Sequence, residues 1–198
     1  MTRPDLTIRK ACAADAGFIA EMVNQAGEGI ALHFWSMTAP VASAAIEVGI
    51  ARAAGETAAI SYRNAWIAEI GGEAAGCLIA HRQPETLPPP DPETPPLFRP
   101  LDSLEAEAPD TGYVHVLATA PAFQGRGIGT RLLDFAERYA GPRGMSLIVA
   151  DANEGARRLY ERAGYRVAAR RAMVKDGWAG AGREWLLMVK PADHARNG

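Results

Sequence analysis

Seven residues, Gln124-Gly125-Arg126-Gly127-Ile128-Gly129-Thr130, constrain this chain more than any others. They join a strand-like run at 113–119 to a helix-like run at 128–139, in which Ile128, Leu132, Phe135 and Tyr139 recur on one face. A strand that turns through glycines into a helix collects backbone N–H groups at one point. Those groups, with the positive end of the helix dipole, attract anionic oxygens, phosphate above all. Glycine suits such a turn because a Cβ would restrict the backbone angles and hold a ligand away. The chain is therefore expected to be an α/β protein that holds a phosphate-bearing ligand at this turn. Thr130 stands where the dinucleotide pattern G-x-G-x-x-G needs its last glycine, and no Gly-Lys-Ser/Thr follows as a P-loop requires.

The turn has the spacing Q-x-x-G-x-G, and it resembles the acetyl-CoA pyrophosphate loop of the GNAT superfamily of N-acetyltransferases. Its flanks extend the resemblance. Val114-His115-Val116-Leu117-Ala118-Thr119-Ala120-Pro121 is similar to that family's central strand and its exit, and Ile128-Gly129-Thr130-Arg131-Leu132-Leu133 to its cofactor helix. Farther on, residues 153–165 read N-x-x-A-x-x-L-Y-x-x-x-G-Y, like the family's second block. The close match covers about 110–175, and the rest of the chain follows only in the order of its elements. The fold this implies is α/β (α+β): a mixed, mainly antiparallel sheet of about seven strands, helices on both faces, and a splayed central parallel pair. The activity it implies is transfer of an acetyl group from acetyl-CoA to a primary amine, small or protein-borne. A non-catalytic acyl-CoA-binding module of the same fold is the competing class.

The resemblance also implies a site. In the family, two parallel strands part at their ends and the pantetheine arm lies between them; here they would be 113–119 and 145–151. Backbone groups of Leu117 and Thr119, with Ala118 between them, would meet the pantetheine amides, and the Leu117 N–H would stabilise the oxyanion. Gln124, Gly125, Arg126, Gly127, Ile128, Gly129 and Thr130 would hold the pyrophosphate. Asn153 would bond the cofactor arm, or cap the helix it begins. Tyr160 matches the tyrosine that protonates the leaving thiolate; a core position is its alternative, because Ala156, Leu159, Tyr160 and Ala163 share a helical face. His115 resembles one of two histidines that relay protons in arylalkylamine N-acetyltransferases, at the same offset from the glutamine. Tyr113 stands where the other should be. Glu69, a carboxylate on an expected strand, is the other candidate to take the proton.

The remaining chain is read from its residues. Asp15 is expected to cap a helix carrying Phe18, Ile19, Met22 and Val23, and Thr38-Ala39-Pro40 to open another through about Ala54. Strands are expected at 6–9, 64–70, 73–81, 145–150, 165–175 and 184–190, with Gly71-Gly72 as a hairpin turn. Nine of the fourteen prolines fall between Pro84 and Pro109, which predicts a long loop, with at most a short helix at 101–107. The family joins these strands tightly, so this segment is an insertion, serving substrate selection, dimer contact or neither. One domain over 1–198 is expected. A net charge of −2 argues against a nucleic-acid partner. No apolar run reaches membrane length, the N-terminus lacks a signal core, and two cysteines form no disulfide framework, so the cytoplasm is expected. The four histidines show no metal spacing, and no metal is expected.

Overall fold

The computed structural model describes residues 5–41, 44–88 and 91–192. The chain runs β1 (Leu6–Lys10), α1 (Ala16–Ala26), α2 (Ile30–Thr38), α3 (Ala45–Ala54), β2 (Ala65–Ile70), β3 (Glu73–Arg82), α4 (Arg99–Glu105), β4 (Gly112–Thr119), α5 (Ile128–Ala136), β5 (Met145–Ala150), α6 (Glu154–Arg162), β6 (Arg166–Ala172) and β7 (Glu184–Lys190). The strands form a mixed sheet in the order β1-β2-β3-β4-β5-β7-β6. Pairing is antiparallel for β1 with β2, β2 with β3, β5 with β7 and β6 with β7, and parallel for β4 with β5. No helix among the described residues is long and apolar enough to cross a membrane. The chain divides into two compact units, Met1–Ala80 with Val116–Phe135, and His81–His115 with Ala136–Gly198.

In the first unit, Gly71 and Gly72 both take positive φ, 62° and 82°, and close the β2–β3 hairpin as their sequence predicts. The helices α1, α2 and α3 pack on one another. Ile19, Met22 and Val23 of α1 join Trp35, Ile67, Cys77 and Ile79 in one apolar core, which is the periodicity that marked α1 in the sequence. Burial pushes the Cys77 thiol up to about 12, so it is an inert core residue. Two expectations are corrected here. Asp15 does not cap α1 with its side chain. Its carboxylate accepts the Cys12 N–H at 2.8 Å and both terminal nitrogens of Arg9, so it closes the short 3-10 turn before the helix. Thr38 ends α2 rather than opening α3, and Ala39 is already extended. Proline forces the residue before it out of the helical region, so Pro40 acts as a stop.

In the second unit, β4 pairs with β5 through Gly112↔Met145, Tyr113↔Ser146 and Val114↔Leu147. The proline-rich segment has no helix or strand in its described residues from 84 to 98 and then forms α4. Its helix α4 packs on β5, β6 and β7, with Leu97 and Leu104 fully buried. Arg171 of β6 donates to Ser103 Oγ at 3.1 Å and pairs with Glu107. The Thr111 hydroxyl gives its one proton to Ala108 O at 2.7 Å, so the Ser146 hydroxyl of β5 must be the donor in their 2.7 Å contact. The short helix allowed within this stretch is α4, two residues earlier at each end than 101–107. Prolines counted against regular structure, but Pro100 sits in the first turn of α4, where it needs no donor. If α4 belongs to this core, Leu104→Ala should cost about 2–5 kcal/mol in denaturant unfolding. A loss below about 0.5 kcal/mol, the range of ordinary surface substitutions, would make the insertion a surface attachment.

Candidate active site

The glycine turn behaves as its sequence requires. Gly125 and Gly127 adopt φ of 74° and 82°, a region that side chains with a Cβ rarely enter. A Cβ built on either would meet no protein atom within 4 Å, so the front of the turn is open. The first hydrogen bond that carries the α5 ladder back into the turn runs from Arg131 N to Gly127 O, at 3.1 Å. The N–H groups of Gly125 to Thr130 precede that bond, and a helix cannot itself satisfy the donors of its first turn. An open glycine turn ending in a helix start fits a pyrophosphate on chemical grounds. Ile128 is buried beneath the turn and fixes the helix start. Arg126 lies over the Phe123 ring at 5.1 Å and donates to Ala122 O at 3.2 Å, on the exposed side.

The strand leading into the turn holds Leu117 half-buried and Ala118 in the core. The Thr119 carbonyl accepts from Gln25 Nε2 at 2.9 Å and from Gln124 Nε2 at 3.4 Å. Gln124 thus braces the strand exit from within the motif, while Gln25 reaches it from α1, a partner that local sequence does not reveal. Glu69 accepts from Arg9 Nε at 2.7 Å, and this ion pair gives it a structural place.

Tyr160 is placed by the way α6 ends. Gly164 takes φ of 97°, and the N–H groups of Gly164 and Tyr165 return to Glu161 O and Tyr160 O, at 3.1 and 3.0 Å. This left-handed cap characteristically brings its last residue against the one five positions earlier. Here that contact joins Tyr165 to Tyr160, with ring centroids 6.0 Å apart. Tyr165 is fully buried, so the cap fixes the Tyr160 ring from its own helix end. Burial pushes the Tyr160 phenol up to about 12, so it keeps its proton at neutral pH. At the other end, Asn153 Oδ1 accepts the Ala156 N–H at 3.0 Å, which is the helix-capping role. Arg157 and Glu161 form an i,i+4 ion pair at 4.0 Å.

His115 lies in a cluster that the sequence shows only in part. Its ring stacks near that of Tyr113, with centroids 5.9 Å apart and planes 23° from parallel. His81, from β3, sits 5.6 Å from Tyr113 and 6.5 Å from His115. A second histidine, from another strand, thus lies beside Tyr113 and His115. The Gln83 N–H bonds Thr111 O at 2.8 Å, which sets His81 beside Tyr113 in antiparallel register. His115 is exposed, yet protein crowds its imidazole closely enough that desolvation, with His81 adding, pushes it down to about 4. Glu105 of α4 accepts from Gln83 Nε2 at 2.7 Å. Burial pushes the Glu105 carboxyl up, against the opposing effects of Gln83 and His81. Glu105 lies in the short helix that the sequence allows at 101–107, but its bond to Gln83 joins residues 22 apart and no local window shows it.

The family model described as the acetyltransferase (GNAT) family matches residues 41–165. A search of curated proteins found no match. Solved structures match along nearly the whole chain. The crystal structure of an acetyltransferase superposes with a TM-score of 0.64 at 19% identity, over 94% of this chain and 100% of its own. An N-acetyltransferase from Staphylococcus aureus gives 0.65 at 18%, over 92% and 99%. A diaminobutyrate acetyltransferase from Paenibacillus lautus, in complex with L-2,4-diaminobutyric acid and coenzyme A, gives 0.56 at 19%, over 95% and 96%. At these identities the likeness is one of fold.

Proposed function

Since the chain belongs to the acetyltransferase (GNAT) family, and is an acetyltransferase, we propose that it transfers the acetyl group of acetyl-CoA to a primary amine by direct attack. The observation that carries the use of acetyl-CoA is the glycine turn, with its two positive-φ glycines and open front. Gly125 to Thr130 hold the pyrophosphate. The cofactor supplies an activated thioester. The amine nitrogen bonds to the carbonyl carbon, the C–S bond breaks, and the electron pair leaves on sulfur. The Leu117 N–H donates to the oxyanion that forms on the way. The acceptor is a small primary amine, as in the diaminobutyrate enzyme of like fold, or an amine on a protein. The setting is the cytoplasm.

Magnitudes decide what each proton carrier does. An alkylammonium has a pKa of about 10.4, well above an ordinary imidazole and further above His115, which desolvation lowers. His115 therefore does not deprotonate the free substrate. The amine enters neutral, and His115 takes the proton that attack has made acidic, directly or through water. Tyr160 near 12 lies about 3.5 units above an ordinary thiol, so in water it would not give up its proton to a thiolate. It donates a hydrogen bond to the nascent thiolate and yields the proton because the sulfur shares its desolvated setting, which makes the sulfur more basic.

Calorimetry on the glycine turn tests the cofactor assignment. Gly127→Asp puts a carboxylate at the open front and a Cβ where φ is 82°. Acetyl-CoA binding should weaken at least about tenfold, while Gly127→Ala, which shares the strain without the charge, loses less. Equal affinity in wild type and Gly127→Asp would remove this turn from the site.

A further inference from the structure

The Trp185 indole N–H is buried and finds no hydrogen-bond acceptor among the described residues. We propose that it is a subsite for the acceptor amine, and that it receives a carboxylate which that amine carries. The inference rests on the reading of His115 as the group that takes the amine proton, because that reading puts the acceptor on the sheet face of His115. Register shows that Trp185 shares this face. Tyr113 lies beside Ser146 in the parallel pairing of β4 with β5. His115 follows Tyr113 at the two-residue period, as Ile148 and Ala150 follow Ser146. Trp185 of β7 lies opposite Ala150. It also lies opposite Arg171 of β6, whose guanidinium reaches Ser103 on α4, so this is the face on which α4 packs. The pairing of β4 with β5 ends at Val114 and Leu147. Ala150 thus sets Trp185 one strand away from the edge of β5 that β4 leaves.

Trp185 is covered by a loop, not by the sheet alone. Trp178, itself buried, lies flat on it, with ring centroids 5.7 Å apart and planes 3° from parallel. An indole N–H lies in the plane of its ring, so a parallel neighbour cannot accept it. A buried donor left in this state is rare in folded proteins and calls for a partner. The loop at 173–183 that carries Trp178 is fixed at its base. The Arg183 N–H donates to Asp151 Oδ1 at 2.9 Å, and the Met173 N–H to Arg183 O at 2.8 Å. Its tip differs. Asp176 takes φ of 41°, a left-handed value that few residues with a Cβ adopt, and Gly177 follows at 83°. Lys175 latches this tip: its Nζ donates to Gly180 O and lies 4.4 Å from the centre of the Trp178 ring. A strained tip on a fixed base allows Trp178 to lift from Trp185 while the sheet stays in place. What then enters must offer an oxygen to the N–H, and the Lys175 ammonium on the same loop favours a charged one. A carboxylate answers both.

A ladder of acceptors tests this: glycine, β-alanine, γ-aminobutyrate and ε-aminocaproate, each paired with the alkylamine and the amide of the same carbon count. At saturating acetyl-CoA, at least one acid should have a KM about tenfold or more below that of its alkylamine, as a hydrogen bond to a charged group provides, with the amide between them. Trp185→Phe removes the N–H and keeps an aromatic ring. It should raise the KM of that acid about tenfold and leave the alkylamine unchanged. By NMR of the wild-type protein, the Trp185 indole resonance should move on titration with the acid and not with the alkylamine, a readout that serves should the variant not fold. Equal KM values for acids and alkylamines throughout the ladder, or a Trp185 resonance unmoved by every acid, overturn the proposal. An amide as good as its acid overturns the carboxylate. If amines are acetylated with no preference for the acids, the subsite fails and the transfer reading stands. If an acid moves the resonance and no amine is acetylated, the subsite stands and the transfer reading fails. If His115→Asn keeps full kcat while the preference still depends on Trp185, the proton-acceptor reading fails and the subsite stands.

Discussion

Tyr160→Phe is expected to lower kcat by about 10²–10⁴-fold, the usual contribution of a general acid, with acetyl-CoA affinity nearly unchanged. The substitution removes one hydroxyl. The ring stays pinned, because its contact with Tyr165 follows from the backbone cap at Gly164 and not from the hydroxyl. Stability should therefore change little. The phenol near 12 also predicts that wild-type kcat has no alkaline loss from Tyr160 below about pH 11. Measurement under conditions where chemistry limits turnover decides the matter. Full kcat in Tyr160→Phe would return the tyrosine to the core, as one more apolar contact on α6.

His115→Asn is expected to lower kcat about 10²-fold, at the lower end for a proton carrier, because water can replace it in part. Its pH dependence carries a sign. With the folded pKa near 4 and the unfolded value near 6.5, the unfolded chain alone holds a proton between those values. Stability should therefore fall as pH drops from about 6.5 to 4, and be independent of this group above 6.5. Replacing His115 should flatten that part of the curve, measured by denaturant unfolding at a series of pH values. In activity, the acid limb due to His115 should lie near pH 4. A limb near 6.5 that vanishes in His115→Asn would contradict an imidazole held neutral by its surroundings.

The parts of this fold that the sequence announces are those whose cause is local. Gly71-Gly72, the glycine turn and Gly164 all take the positive φ that their motifs demand. The α1 stripe and the alternating strands give the right elements because a helix face and a strand face each repeat within a few residues. The parts that stayed hidden depend on distance along the chain. Thr119 was claimed by Gln25 from a helix 94 residues away. The partnership of His81 with Tyr113 and His115 needs the register of β3 against β4, which no window on either strand contains. Glu105 falls within the short helix the sequence allowed, but its bond to Gln83, 22 residues away, was hidden. Tyr160 and the glycine turn were thus legible as motif residues, while the surroundings of His115 required the structure.

The central claim is that the chain catalyses transfer of an acetyl group to an amine, and product formation tests it most directly. The purified protein is incubated with acetyl-CoA and a panel of small mono- and diamines, amino acids, and peptides bearing free N-termini or lysines. Free CoA thiol is followed against the acetylated amine by mass spectrometry. The account predicts that at least one amine is acetylated in step with CoA release, and that Tyr160→Phe slows both together. Tight binding of acetyl-CoA with no amine acetylated would contradict it, and would make the protein an acyl-CoA-binding module on an acetyltransferase fold.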